Sequence, residues 1–574
     1  MAISATSTSL NKEQREQAWE DFGKEHYDMV IIGGGSVGAG TALDAATRGL
    51  KVAVLETRDF AGGTSSRSSK MFHGGLRYLA MLDFRLVAEG LRERELSMSG
   101  LAPHLVKPLK FIFPLEHRIW QRPFMASGFM LYDLMGGAKS VPMQKHYTRK
   151  GMLKLSPGLK EDALVGGVRY FDTLVDDARH TMTVLRTAAE FGATIRPSTQ
   201  VVDFEKDGDR ITGAKIVDTD SGRTTTIHGS VFVNATGIWN DEIEKLASVE
   251  GKFHVHTSKG VHIVVPKSVL PGDVALTFVT EKSVLFVIPW GEYWIIGTTD
   301  TDWEKGLSLP DPAPTKSDID YILDQVNQRV RRQITRDDIV GVYSGLRPLL
   351  SGKSDSTTNL SRNHAVARVA PGMVSVAGGK YTTYRVIGKD AVDLAVQELD
   401  TKVPESITEQ TPILGAAGYH ALANQVPSLA RRYNLSEKFI EHLLGRYGSL
   451  LGEGLAPAAE DASLLEPVPG AESYLWAEVR YAVTHEGALH LEDILSRRLR
   501  IAIEFGDRGV NAAPAVADFV APLLGWSDAD KEREVSQFKA HTQAELEAEA
   551  AVTDREANDI LVRAGSARPT QNEV

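Results

Sequence analysis

The chain has 574 residues, too many for one core, which predicts two or three domains. Its 42% hydrophobic and 24% charged content is that of an ordinary globular protein, and a net charge of −11 argues against a nucleic-acid partner, which would want a basic face. The absence of cysteine excludes disulfides, thiol nucleophiles and cysteine-held iron–sulfur clusters.

No apolar run reaches the length of a membrane span. Residues 1–26 are polar and lack the apolar stretch of a secretory signal, so they read as a flexible lead to a cytosolic domain. From Tyr27 to Glu56 the pattern becomes specific. Apolar residues from Met29 to Ile32 predict a buried strand, Gly33, Gly35 and Gly38 supply a G-x-G-x-x-G turn, and a helix follows from Ser36 and Val37 to Thr47. Lys51 to Leu55 predicts a second strand ending on Glu56. Gly33 permits the tight turn, Gly35 lets a pyrophosphate approach the backbone, and Gly38 lets helix and strand pack closely. The helix N-terminus offers N–H groups to that pyrophosphate, and Glu56 is placed to accept a ribose hydroxyl. The motif alone does not separate NAD from FAD.

Gly62 to Ser69 is rich in small and hydroxyl residues and predicts a loop along the cofactor, followed by His73, Gly75, Arg77 and Tyr78 and a helix from Leu82 to Leu96. Residues 104–150 mix Lys and Arg with Phe, Trp, Met and Tyr. No single long amphipathic helix emerges there, so an insertion with its own core is expected over a membrane-surface segment. Val165 to Arg179 and Thr181 to Phe191 predict a strand, a connection and a helix. Ile195–Asp203, Ile211–Asp218 and Thr224–Ile227 predict a β-meander with Asp-Gly and Ser-Gly turns. Val231 to Ala235 is an apolar strand running into Thr236 and Gly237. His254, His256 and His262 alternate without an accompanying acid or ligand spacing, so no metal is expected. Phe286–Pro289 and Trp294–Gly297 form an apolar hairpin around Gly291. Arg347 leaves the apolar turn Tyr343–Leu349, and Arg362 sits in a polar loop. Met373–Val376 predicts a strand into Gly378, Gly379 and Lys380, then Thr382, Thr383 and a helix to Leu399. Beyond Pro404, helical spacing recurs over His420–Tyr447, Ser473–Arg500 and Asp528–Arg563. Asp528 and Asp530 start like a calcium loop, but Arg533 stands where glycine is required.

SSRSSKMFHGGLRYL beside the glycine turn resembles the FAD-dependent glycerol-3-phosphate dehydrogenase family. LVDDAR (Leu174–Arg179), VNATGIW (Val233–Trp239), KGVHIVVP (Lys259–Pro266), FVIPW (Phe286–Trp290), IIGTTD (Ile295–Asp300), YSGLRPL (Tyr343–Leu349) and GGKYTTYR (Gly378–Arg385) extend the resemblance in order. Arg67 and Ile238 depart from it, where the family often has a small residue and proline.

The resemblance implies an α/β plus α fold: a Rossmann-like FAD-binding domain of the glutathione-reductase type, an inserted antiparallel-sheet substrate domain and an all-helical C-terminal domain. The expected divisions are a lead over 1–26; an FAD-binding domain over 27–105, 165–250 and 335–400; a substrate domain over 106–164 and 251–334; helices over 401–564; and a disordered tail over 565–574. Beyond the glycine turn and Glu56, the implied FAD contacts are Thr64, Ser65, Ser66, Ser69, Lys70, His73 and Gly75. Further along they are Val201, Ala235, Thr236, Gly237, Gly345, Gly379, Lys380, Thr382 and Thr383.

The implied reaction oxidises sn-glycerol 3-phosphate to dihydroxyacetone phosphate, with hydride to FAD and electrons then to quinone. Oxygen as acceptor remains an alternative, as does an amine or amino-acid oxidase of the same fold. A flavin-holding protein without turnover is a third reading. The residues alone indicate a phosphorylated small alcohol at a flavin. Arginine's fork pairs two phosphate oxygens at once, which makes Arg77 and Arg347 the expected anchors and Arg362 a third. His73 is the expected general base and His262 the second choice or an orienting donor. Lys380 is expected to stabilise negative charge on the reduced flavin or to bind substrate, and Tyr78 to line the pocket. A cytoplasmic enzyme, peripheral at the inner face of the membrane, follows from the resemblance; a homo-oligomer stays open.

Overall fold

The computed structural model describes residues 8–75, 78, 83–117, 120–136, 141–281, 284–304, 306–308, 311–350 and 364–565. Two sheets carry the described residues of the first two-thirds of the chain. In the first, the run of order is His364–Ala370, Met373–Gly378, Thr224–Asn234, His26–Ile32, Val52–Leu55 and Thr194–Arg196. From Met373–Gly378 onward the neighbours are parallel, as crossover connections require. The expected strands at Thr224–Ile227 and Val231–Ala235 are one continuous strand. Its first half pairs antiparallel with Arg210–Asp218, and its second half lies parallel to His26–Ile32. Thr199–Asp207 completes the meander.

Helix Ser36–Thr47 is buried along most of its length because it lies between the sheet and two other helices. One of these, Tyr384–Ala395, crosses at a glycine pair: a Cβ on Gly40 would stand 2.7 Å from the Tyr384 carbonyl, and one on Gly388 would stand 2.5 Å from Gly40.

The second sheet runs Thr301–Asp302, Val255–Pro266, Tyr293–Gly297, Val284–Trp290, Ala275–Val279, Lys107–Leu115, Gly166–Leu174 and Met71–Phe72. Its pairings are antiparallel except that between Ala275–Val279 and Lys107–Leu115. Two strands expected in the cofactor domain belong here instead. Gly166–Leu174 pairs along its whole length with Lys107–Leu115, and Gly341–Leu350 with Val255–Pro266. An apolar run reads the same in either sheet, so the sequence alone could not decide between them. The exchange matters because it brings Arg347 and His262 onto neighbouring strands.

Three further expectations are corrected. The lead is not flexible over Lys12–Phe22, which is a helix capped by Asn11 accepting from the Gln14 N–H. It buries Ala18, Trp19 and Phe22, with the Arg196 guanidinium 4.7 Å from the Trp19 ring centre; this narrow stripe is easily lost among its charges. A single helix does form within 104–150, at Gln121–Met135. It buries Phe129 and Tyr132 but leaves Trp120, Phe124 and Leu134 exposed at 59%, 61% and 64%. The C-terminal helices are interrupted by a hairpin of Pro467–Val468 and Ala471–Leu475 inside the domain expected to be all helical. The tail from 566 onward lies outside the described residues.

Asp528 and Asp530 open a helix rather than a calcium loop. Ser527 caps Asp528–Ala548, its backbone and hydroxyl both donating to Asp530 at 2.9 and 2.7 Å. On that helix, His541 is raised from 6.5 to about 9: burial opposes its charge, but Glu545 at 3.7 Å, with Asp311 and Glu492 beyond it, outweighs the penalty. A folded-state value above the unfolded one adds stability that is complete below pH 6.5 and lost as pH rises through about 9. The loss amounts to at most about 3 kcal/mol. The resistance of the wild type to chemical denaturation should fall as pH rises over that window, and His541→Gln should flatten the dependence.

Candidate active site

The glycine turn leaves no room for side chains. Gly33 has φ 111°, and a Cβ there would lie 2.7 Å from the Ala235 carbonyl; one on Gly38 would lie 1.9 Å from the Gly33 carbonyl. Gly35 caps helix Ser36–Thr47 without a side-chain bond, and apart from the Ser36 N–H, which Ser65 accepts, the first-turn amides are left to an anion. Glu56 accepts from the Gly34 N–H at 2.7 Å and the Arg58 N–H at 2.9 Å, and its carboxylate has capacity left for a ribose hydroxyl. These features fit an adenine dinucleotide. Ala235 and Thr236 lie against Gly33, with Thr236 turned onto Asn234, and Gly237 opens the turn Gly237–Trp239. Val201 sits in Thr199–Asp207 with its side chain buried in the core beneath the sheet.

The segment 63–75 passes from the glycine turn to the second sheet. Ser65 Oγ accepts from the Ser36 N–H at 2.9 Å, Ser66 is buried, and Thr64 donates to the Leu346 carbonyl at 2.6 Å. Gly345 permits that approach, since a Cβ there would lie 2.7 Å from Arg67 Cβ. Ser69 Oγ lies 2.8 Å from His262 Nε2. The Lys70 side chain is fully buried and donates to Asp177 at 2.9 Å and to the Ser66 carbonyl at 3.1 Å, so the ammonium expected on the cofactor is committed to the protein.

On the second sheet, His262 stacks on Tyr343 with ring centres 4.8 Å apart and planes 12° apart. Burial, reinforced by the charges of Arg347 and Lys70, holds its pKa well below the usual 6.5, so the ring is neutral. Arg347 lies opposite Ser258 on the adjacent strand. Its Nη2 donates to Thr298 Oγ1 at 2.8 Å and the Thr299 carbonyl at 3.0 Å; its Nη1 lies 3.4 Å from Asp300. Gly260 of the KGVHIVVP motif makes way for it, since a Cβ there would stand 2.1 Å from Nη2.

A second group of expected residues gathers at the end of 63–75. The His73 N–H donates to Thr382 Oγ1 at 3.1 Å, and Thr382 returns a bond to the His73 carbonyl at 3.2 Å. Lys380 Nζ lies 3.9 Å from the Tyr78 ring centre, and a Cβ on Gly75 would stand 3.0 Å from it. Gly379, at φ 95°, turns the chain into the Tyr381–Thr383 turn, where Thr383 is buried. Arg77 and Arg362 lie outside the described residues. Among the described residues no group of three or more His, Asp or Glu side chains is placed to hold a metal ion.

Sequence reading missed two supporting networks. Tyr132 accepts from the Gly74 N–H at 2.9 Å and donates to Asp172 at 2.7 Å, and Arg94 closes on the same carboxylate at 2.9 Å. The other joins Asp176, Asp177 and Lys70 to Arg500. The LVDDAR and SSRSSKMFHGGLRYL motifs marked Asp176, Asp177, Lys70 and Gly74 in the sequence, but not their partners Arg94, Tyr132 and Arg500.

The family model described as FAD dependent oxidoreductase matches residues 28–385, and that described as the C-terminal domain of alpha-glycerophosphate oxidase matches 406–531. The chain is 57% identical over 562 residues to the glycerol-3-phosphate dehydrogenase of Mycobacterium leprae, covering 98% of this chain and 96% of that one. It is 33% identical to the human mitochondrial glycerol-3-phosphate dehydrogenase, covering 91% and 74%. The crystal structure of the Bacillus halodurans glycerol-3-phosphate dehydrogenase complexed with FAD superposes with a TM-score of 0.77 at 27% identity, covering 93% and 98%. The glycine cradle, Glu56 and the two-sheet architecture agree with these matches: the chain belongs to the FAD-dependent glycerol-3-phosphate dehydrogenase family.

Proposed function

We propose that the protein oxidises sn-glycerol 3-phosphate to dihydroxyacetone phosphate. The observation that carries this is the convergence of an adenine-dinucleotide cradle with an arginine that faces neutral partners on one nitrogen. FAD, when bound, accepts the hydride. The remaining tasks fall to the chain's own residues. Arg347 anchors the phosphate: Asp300 fixes one nitrogen, while a phosphate displaces Thr298 and the Thr299 carbonyl from the other, since it offers the guanidinium an opposite charge and paired oxygens where these two offer only neutral acceptors. Arg77 and Arg362 are assigned the same task on sequence grounds.

His73 takes the hydroxyl proton. His262 is the weaker candidate, because a ring held neutral far below its usual pKa has little drive to accept a proton; it serves better to orient the alcohol with Ser69. Lys380 and Tyr78 line the same end of the site, where the ammonium balances developing negative charge.

We assign quinone as the acceptor and the membrane surface as its source. Helix Gln121–Met135 supports this, with Trp120, Phe124 and Leu134 exposed in a stretch of sequence that also carries Lys110, Arg122 and Lys145. Among the described residues no helix is long and apolar enough to cross a membrane. Stopped-flow reoxidation of the reduced protein should be faster with a soluble quinone than with oxygen. Faster reoxidation by oxygen, with peroxide released, would make the protein an oxidase.

A further inference from the structure

The segment 63–75 touches both halves of the site, so whatever fixes it fixes both. A buried cluster of four charges does so. Asp177 accepts from the Ser68 N–H at 2.8 Å and the Ser68 hydroxyl at 2.7 Å on one oxygen, and from Lys70 on the other, which also pairs with Arg500. Arg500 Nη2 reaches Asp176 at 2.6 Å, and its Nη1 joins Lys70 on the Ser66 carbonyl at 3.3 Å. The side chains of Lys70 and Asp177 are 0% exposed and that of Arg500 is 3%. These two positive and two negative groups balance, and at their edge Arg446 stands 3.4 Å from Asp176 and 3.5 Å from Glu478.

Three of the four groups come from the first two domains, and Arg500 comes from the C-terminal one. It follows the turn Asp493–Arg498 and is held at φ 75°, a left-handed conformation that costs a non-glycine residue about 1–3 kcal/mol. Such strain persists only where the surroundings over-determine it. Burying an ion cluster is a poor route to stability, since well-packed apolar residues often do as well or better. What the charges add is direction: their bonds to the loop end on backbone or hydroxyl groups of Ser66 and Ser68, between Ser65 on the glycine turn and Ser69 on His262.

We propose that Arg500 is a positioning residue through which the C-terminal domain sets the cofactor loop, so that this domain is needed for tight FAD binding. The inference rests on FAD occupying the glycine turn. Without the guanidinium, Asp176 is left to Arg446 and Asp177 to Lys70, the Ser66 carbonyl loses a donor, and Ser65 and Ser69 are no longer held in register.

The test titrates FAD into full-length apoprotein by quenching of flavin fluorescence, with the melting temperature measured alongside. Arg500→Met and Arg500→Lys are compared with Arg508→Met, which removes another buried arginine of the C-terminal domain; it lines a cavity with Ser66, Arg67 and Arg500, but its ion pair is with Glu549 and not with the loop. Arg500→Met should raise the FAD dissociation constant about tenfold or more. Arg500→Lys should recover part of that, and Arg508→Met should lower the melting temperature with FAD affinity unchanged. Wild-type affinity in Arg500→Met would overturn the proposal. So would an equal loss of affinity in Arg508→Met, which would mark the effect as general destabilisation. Should Arg500→Met fail to fold, wild-type affinity in a folded Arg500→Lys protein of lowered melting temperature would overturn it equally.

Discussion

His73→Gln should slow flavin reduction by sn-glycerol 3-phosphate roughly a hundred- to ten-thousandfold, the usual worth of a positioned general base. Glutamine keeps the size and hydrogen-bonding capacity of the ring but cannot take a proton at neutral pH. The substitution should leave the backbone in place, because the turn is pinned on both sides of the ring. Thr382 holds the His73 N–H and carbonyl, and Tyr132 holds the next N–H. FAD content and melting temperature should therefore stay near wild type while the limiting rate falls in anaerobic stopped flow. Since the proton leaves the hydroxyl as hydride leaves the carbon, the loss belongs in the limiting rate and not in substrate affinity. An unchanged rate would remove His73 from the role and return attention to His262.

Arg347→Ala should act on the other end of the substrate. Truncating a charged partner of a buried or half-buried ion pair costs about 2–5 kcal/mol, so kcat/KM should fall on the order of a hundredfold or more. Most of the loss should appear in KM, because the phosphate is bound alike in ground and transition states. The side chain also steadies Asp300, which is 2% exposed, so some loss of stability accompanies the change. Arg347→Lys separates the two effects. It keeps the charge beside Asp300 but has no fork, and it should recover stability more fully than kcat/KM. Unaltered kcat/KM in Arg347→Ala would place the phosphate elsewhere, with Arg77 and Arg362 the next positions to replace.

The parts of the site that were legible in the sequence are those whose demands are local. Gly33, Gly35 and Gly38 are read from a backbone that must bend, and Glu56 from the end of the next strand. Gly260 and Gly345 stood in recognisable motifs, but their reason is spatial: one yields to Arg347 and the other to Arg67. What was not legible depends on partners far along the chain. Lys70 reads as a cofactor ligand until Asp177 and Arg500 arrive beside it. His262 reads as a base until burial between Tyr343, Arg347 and Lys70 lowers its pKa. The strands Gly166–Leu174 and Gly341–Leu350 read as apolar runs that either sheet could accept, and pairing alone assigned them. Helix Lys12–Phe22 was hidden by its charged outer face.

The helix Gln121–Met135 joins these themes. Its outer face exposes Trp120, Phe124 and Leu134, and its inner face delivers Tyr132 to the Gly74 N–H beside His73. Burial pushes the Asp172 carboxyl up, while Arg94 and Tyr132 pull it back, so the network that fixes the His73 turn is closed within the protein.

The most direct test of the account is an anaerobic titration of the FAD-loaded protein followed by its visible absorbance. Stoichiometric sn-glycerol 3-phosphate should bleach the oxidised flavin band and yield dihydroxyacetone phosphate, whereas glycerol at the same concentration should leave it unchanged. A band that persists with the phosphate ester, or that glycerol bleaches equally well, would contradict it.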